Sequence, residues 1–387
     1  MLSAAKNKSR STRLQSVDIL RGIIMVLMAI DHVRVYSGLP AGGSTAGIFF
    51  TRWVTHFCAP GFAFFAGTSV FLYGTKLADK AKLASYLVTR GLLLVVLELT
   101  LIRFCWMFNF DYANFTLAGV IWMLGWCMVL LAFFVKLRPA TIGIIGLAII
   151  FLQQLFQYAP LLFPENIRSL FGRLWEFIYP AGFESMPGIA ILYVLVPWLG
   201  VMMAGYGFGK ILLRQPARRK RTCLLIGLSA IIIFLMAGTI IILNQPAEPG
   251  APSFIFRLLN QQKYPASQLF LLMTLGPLIT LVPWTENAKG KFVHAMSIFG
   301  RVPLFYYILH ILLIHISALI VNLIMEGATH QEWYATAPFT QMPEDNRWPL
   351  PLLYLVFVID VSLLYISCRW YANYKAANPG KKWLKYL

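Results

Sequence analysis

Residues 13–36 read RLQSVDILRGIIMVLMAIDHVRVY. The run is long and apolar enough for a first transmembrane helix, with the span placed at residues 17–36. It also carries charges that a plain anchor would not. Asp18 and Arg21 stand at its start, and Asp31, His32 and Arg34 near its end. Everything between Arg21 and Asp31 is apolar or Gly. Helical geometry puts Arg21 and His32 on one face, about 16 Å apart along the axis. Ionisable groups in a bilayer are costly, so that face belongs against a bundle interior or a watery cavity.

The rest of the 387-residue chain fits such a bundle. It is 59% hydrophobic and only 12% charged, about half the charged share of a soluble domain. The expected fold is therefore all-α, a polytopic transmembrane bundle. A formal charge of +18 would suit nucleic acid, but the basic residues flank apolar spans instead of covering one polar face. The five cysteines lie in or beside apolar segments and show no metal or disulfide spacing.

The length rule for spans picks out about ten segments: 17–36, 48–73, 91–110, 117–135, 142–162, 189–212, 223–243, 269–284, 304–325 and 350–370. The eighth is short and interrupted by Pro277 and Pro283. Lys and Arg concentrate in alternate connections, which places both termini in the cytoplasm of a multi-pass inner-membrane protein. Residues 1–16 and 373–387 read as basic cytoplasmic tails around one domain, 17–372. On the outer side, Ile167, Leu170, Phe171, Leu174, Trp175 and Ile178 follow helical spacing, which predicts a short helix lying on the membrane surface. Residues 253–259 have the same character.

Several spans carry groups capable of chemistry. Arg52 and His56 enter the second span from outside, at a depth similar to that of His32. Two imidazoles with Asp31 nearby would supply a general base and an orienting partner; structural hydrogen bonds between helices are the alternative. Glu98 and Arg103 share the third span at a spacing poor for an ion pair, so each is expected to pair with another helix. His310 and His315 lie on the ninth span, and Asp360 on the tenth can face one of them. Proton-relay transporters use similar groups. Gly205, Gly207 and Gly209 precede Lys210 at an inner surface, where they serve either helix packing or a phosphate.

Together, RLQSVDILRGIIMVLMAIDHVR, HFCAPGFAFFAGTSVFLYG, PWLGVMMAGYGFGK, KYPASQLFLLMTLGP and FGRVPLFYYILHILLIH resemble bacterial integral membrane proteins related to heparan-α-glucosaminide N-acetyltransferase. The resemblance runs from Arg13 to Trp370. The first motif is also similar to that of membrane acyltransferases that decorate surface polysaccharides, in which an Arg is followed by ten residues and a His. Arg21 and His32 meet that spacing. The resemblance implies acyl transfer across the membrane, from cytosolic acetyl-CoA or another acyl-CoA to a sugar or glycoconjugate on the far side. The lysosomal enzyme has its catalytic His in the loop before the second span, and residues 42–49, GGSTAGIF, contain none. It also has Asn where this chain has His32.

His32 is therefore the first candidate base and His56 the second, with Asp31 beside them. Arg52 or Arg103 would stabilise an oxyanion, and Glu98, His310, His315 and Asp360 complete the candidate acceptor side. Asp18, Arg21 and Lys210 would meet the donor, whose phosphates suit the basic inner rim. A neutral imidazole is required, so activity should fall below its ordinary pKa of about 6.5. No metal is expected. The competing class is a transporter or flippase using the same buried groups without acyl chemistry. The acceptor, the acyl length and the oligomeric state stay open.

Overall fold

The computed structural model describes residues 15–42, 45–77, 79–184, 186–245, 250 and 252–385. Of the predicted basic tail, 1–16, residues 1–14 lie outside them and the last two begin the first helix. Among the described residues the chain is all-α apart from one pair of three-residue strands. Helix α1 (Gln15–Tyr36) is followed by α2 (Ala46–Trp53), a 3-10 turn at Val54–Phe57 and α3 (Cys58–Leu77). Next come α4 (Lys80–Leu97), a π-helical turn at Glu98–Ile102, α5 (Arg103–Met107), strand β1 (Thr116–Ala118) and α6 (Val120–Phe134). Then α7 (Pro139–Phe151) leads into a 3-10 segment at Gln153–Leu162, α8 (Glu165–Trp175), strand β2 (Ile189–Ile191), α9 (Trp198–Leu212) and α10 (Pro216–Leu243). The last elements are α11 (Phe254–Leu259), α12 (Gln268–Thr285), α13 (Lys291–Arg301), α14 (Pro303–Glu326) and α15 (Leu350–Ala377).

Among the described residues five helices are long and apolar enough to cross a membrane: Ala46–Leu77, Pro216–Leu243, Gln268–Thr285, Pro303–Glu326 and Leu350–Ala377. They make this a multi-pass membrane protein. The remaining predicted spans depart from a plain apolar rod in specific ways. Helix α1 is long enough but carries four charges, and α6 is short. Residues 142–162 form no straight span, because α7 and the following 3-10 segment are bent by 78°. The segment at 269–284 is continuous despite Pro277 and Pro283. Packed neighbours of a membrane helix tolerate such prolines.

Helix α1 lies inside the bundle, against α3, α12, α13, α14 and α15. Residues on all its faces are buried, including Ile19, Ile24, Met25, Ala29 and Val33. Its closest partner is α13, which at 11 residues is too short for the span rule to find. A Cβ on Gly22 would fall 1.9 Å from the Met296 carbonyl oxygen, and one on Gly300 would fall 1.8 Å from that of Asp18. Both obstacles are backbone, so neither can swing aside. Overpacking of this kind costs about 1–3 kcal/mol. Gly22→Ala should therefore lower the melting temperature of the detergent-solubilised protein by several degrees. An unchanged melting point would show that the two helices can separate freely.

Strand β1 pairs with β2 in parallel, Leu117 opposite Ala190. The expected fourth and sixth spans thus begin as extended chain. Non-helical backbone at membrane depth is tolerated where it lines a cavity, and these strands lie beside one.

Candidate active site

A cavity of about 450 Å³ opens beside the end of α1. Its floor is Asp31, His32 and Arg34, and its walls include Arg52, Glu98, Trp106, Tyr193, Lys263 and Tyr307. Phe339, Thr340 and Arg347, from the loop before α15, stand at the rim. That loop is pinned over α1: Trp348 N–H donates to Ser37 O at 3.0 Å, and Thr340 Oγ1 to Val35 O at 3.3 Å.

His32 does not meet His56. It meets His310 of α14, with Nδ1 2.7 Å from His310 Nε2. The protons follow from one backbone group. His310 Nδ1 is 3.0 Å from Tyr306 O, and a carbonyl only accepts, so His310 carries its proton on Nδ1. Its Nε2 is then an acceptor, and His32 Nδ1–H must be the donor. His32 is left with a bare lone pair on Nε2, on a ring that lines the cavity. The ring is held edge-on to Trp106 at 4.7 Å, and stacks on His310 at 4.8 Å. The arrangement is a base oriented by a second, fully buried imidazole.

Asp31 does not orient His32. Its Oδ1 accepts from Arg34 Nε at 3.0 Å, while Arg34 Nη1 donates to Leu39 O at 2.7 Å. His56 is buried against the ring of Phe270, and among the described residues neither of its ring nitrogens has a partner. One turn earlier, Arg52 does line the cavity. His315 is occupied on both sides, by Cys105 O at 3.0 Å and by Gln331 Oε1 at 3.1 Å, with Phe108 stacked on it at 3.8 Å. Asp360 faces no histidine; its Oδ1 accepts from Ser317 at 2.8 Å.

Among the described residues Glu98 and Arg103 form no ion pair with each other, as their spacing suggests. The π turn at Glu98–Ile102 widens the helix, and both residues line one small void of about 10 Å³. Glu98 also accepts from the backbone N–H groups of Ile121 and Trp122 at the start of α6. Both terminal nitrogens of Arg103 are engaged elsewhere. It donates to Asn109 Oδ1 at 3.2 Å, Asp111 O at 2.7 Å and Phe115 O, and lies over the Tyr112 ring. It clamps the turn that delivers β1 to the cavity and does not line the cavity itself.

Lys263 is the cavity residue that span-based reasoning overlooks, since it sits in an outer connection. It is only 8% exposed. Burial opposes its charge, but Tyr264 and Asp31 outweigh burial and hold the ammonium above the ordinary lysine range. The signal in the sequence is a basic residue on the lysine-poor side, followed by one aromatic residue of the cavity wall, Tyr264. With Arg34, Arg52 and Arg347 it makes the cavity cationic on balance against Asp31 and Glu98.

At the other end of α1 a polar pocket of about 580 Å³ is lined by Gln15, Asp18, Lys289, His294 and Arg301. Arg21, three residues after Asp18 on α1, is half-buried and is not among the lining residues. Lys210 is not part of this pocket; it is exposed at the end of α9, at the edge of an apolar furrow. Among the described residues no group of three His, Cys, Asp or Glu is placed to hold a metal ion.

Residues 13–245 match the family described as heparan-alpha-glucosaminide N-acetyltransferase, catalytic. The chain belongs to that family. No curated protein matches it. The matched stretch of this N-acetyltransferase-family protein holds α1 with His32, as well as Arg52, Glu98 and Tyr193. It stops before Lys263, which lines the cavity, and before His310, which backs His32, both from the other half of the chain.

Proposed function

We propose that the protein transfers an acetyl or other acyl group from cytosolic acyl-CoA to a sugar or glycoconjugate on the far side of the cell's inner membrane, with both termini cytoplasmic and about ten membrane-crossing segments. The observation that carries this reading is the His32–His310 dyad, which leaves an unprotonated Nε2 on a ring lining the cavity of a protein in a family of acetyltransferases. Helix α1 is the shared wall of two sites. Asp18 and His32 are about 21 Å apart along it, so a long thioester arm anchored at one end reaches chemistry at the other. Lys289, His294 and Arg301 suit the phosphates of the nucleotide end.

In the reaction, His32 Nε2 takes the proton from an acceptor hydroxyl or amine as its oxygen or nitrogen attacks the thioester carbon. The C–S bond breaks, and the imidazolium returns the proton to the departing sulfur. Lys263 and Arg52 are the cavity cations available to the carbonyl oxygen as it gains charge. His310 keeps the His32 proton on Nδ1 throughout.

The test is purified protein in liposomes with labelled acetyl-CoA and an amino sugar acceptor, comparing wild type with His32→Ala. Wild-type CoA release and labelled acceptor, both lost in the variant, support the reading. Folded wild type that neither binds nor consumes acyl-CoA, yet moves substrate across the liposome, establishes the transporter class instead. At the inner pocket, replacing both Lys289 and Arg301 by Gln should raise the KM for acyl-CoA about tenfold, equivalent to about 1.4 kcal/mol of binding. The kcat should stay nearly unchanged. An unaltered KM would move the nucleotide site elsewhere.

A further inference from the structure

The membrane face of the bundle contains a furrow that the acyl-transfer reading does not use. Helices α7 and α9 pack tightly, because Gly143 and Gly207 let their backbones touch; a Cβ on Gly207 would lie 2.8 Å from the Gly143 Cα. Helices α10 and α12 pack tightly in the same way, and a Cβ on Gly227 would lie 2.7 Å from the Gly276 carbonyl oxygen. Each pair is closed by small residues. The two pairs diverge from each other and leave a cleft of about 430 Å³ between them.

The cleft has an ordered polarity. Its walls are apolar, with Ile144, Leu147, Ile226, Ala230 and Leu275 among the lining residues. Polar side chains occur only at its two ends. At one end stand Lys210 and Arg214, both exposed, and among the described residues neither has an acidic partner at ion-pair distance. At the other end Gln268 closes the cleft by donating to Ile150 O at 3.2 Å and pairing with Gln154. The apolar floor along α7 runs from Ala140 to Phe151. That is about 17 Å of helix, close to half of a hydrocarbon core about 30 Å thick.

We propose that this furrow is a binding site for one anionic glycerophospholipid of the leaflet on the Lys210 side. Its phosphate lies on Lys210 and Arg214, and one acyl chain fills the cleft as far as Gln268. Charge complementarity selects the headgroup, and the match between cleft length and leaflet depth selects a single chain. A zwitterionic lipid would fill the same cleft but leave the two cations without a net anionic partner.

The test is native mass spectrometry of the full-length protein in mild detergent, titrated separately with phosphatidylglycerol and phosphatidylcholine. Wild type should keep one phosphatidylglycerol through delipidation and prefer it at least tenfold. Lys210→Gln with Arg214→Gln should erase the preference without lowering phosphatidylcholine binding. Ile226→Trp, a change on the lipid-facing surface, should fill the cleft and lose both lipids. Melting curves confirm that each variant is folded. A double variant with wild-type preference, or an Ile226→Trp protein that still holds its lipid, overturns the proposal. Displacement of the lipid by polyprenyl phosphate or by acyl-CoA at equal concentration also overturns it, and names the occupant. None of these readouts depends on acyl transfer.

Discussion

His32→Ala should lower acyl transfer by about 10²–10⁴-fold, the usual contribution of a positioned general base, without unfolding the protein. The expectation rests on three features of one side chain. Its Nδ1 is committed to His310 at 2.7 Å, its ring lines the cavity, and its Nε2 is the nitrogen left to accept a proton. No other histidine of the bundle combines these features. His315 is engaged at both nitrogens, His310 is fully buried, and His56 lies outside the cavity lining. The measurement is kcat for labelled acetyl transfer alongside a melting curve. Full transfer by a folded His32→Ala protein would remove the dyad from the mechanism. The parallel His56→Ala variant should keep most of its transfer, because nothing joins His56 to His32.

The second large effect is expected from His310→Phe, which keeps a ring of similar size but removes the acceptor of the His32 proton. His32 can then place its proton on either nitrogen and rotate. Loss of a tautomer-fixing partner is costly in triads of the same logic, and a fall in kcat of about 10²-fold is the expected result. The KM for acyl-CoA should change little, because His310 lies far from the inner pocket along α1. His310→Gln, whose amide oxygen can accept from Nδ1–H, should recover part of the loss. This rescue separates positioning from packing: a merely structural role would show equal damage in both variants, or damage confined to the melting temperature. Unchanged kcat in His310→Phe would show that His32 is oriented by something else.

Much of the site was legible residue by residue. The charges on α1 marked it as an interior helix, and it packs against α2, α3, α12, α13, α14 and α15. His32, Arg52 and Glu98 were singled out as intramembrane ionisable groups, and the cavity gathers all three. The pairings were not legible. His32 and His310 are 278 residues apart, and no local spacing predicts which imidazoles meet. Glu98 and Arg103 do pair elsewhere, as their spacing suggested, but their partners, the start of α6 and the turn at residues 109–115, were not legible. Arg103 was expected to pair with another helix, and the turn at residues 109–115 wraps around it instead. The spans at 117–135 and 189–212 looked helical throughout because apolar residues without periodicity do not distinguish helix from buried strand.

The sequence by itself determined the solvent. A chain this apolar, with its charges beside and within long hydrophobic runs, buries its surface in lipid, and its few intramembrane ionisable groups must face one another or a cavity. Residue chemistry and spacing carry that information locally. Only the tertiary structure decided which of those groups became partners, how deep the unwound segments sit and where α13 lies. Those outcomes depend on how closely backbones approach at Gly22 and Gly300, and on where a single carbonyl, that of Tyr306, sets the protons of two histidines. Such contacts join residues hundreds of positions apart, and their energies exist only once the helices are packed.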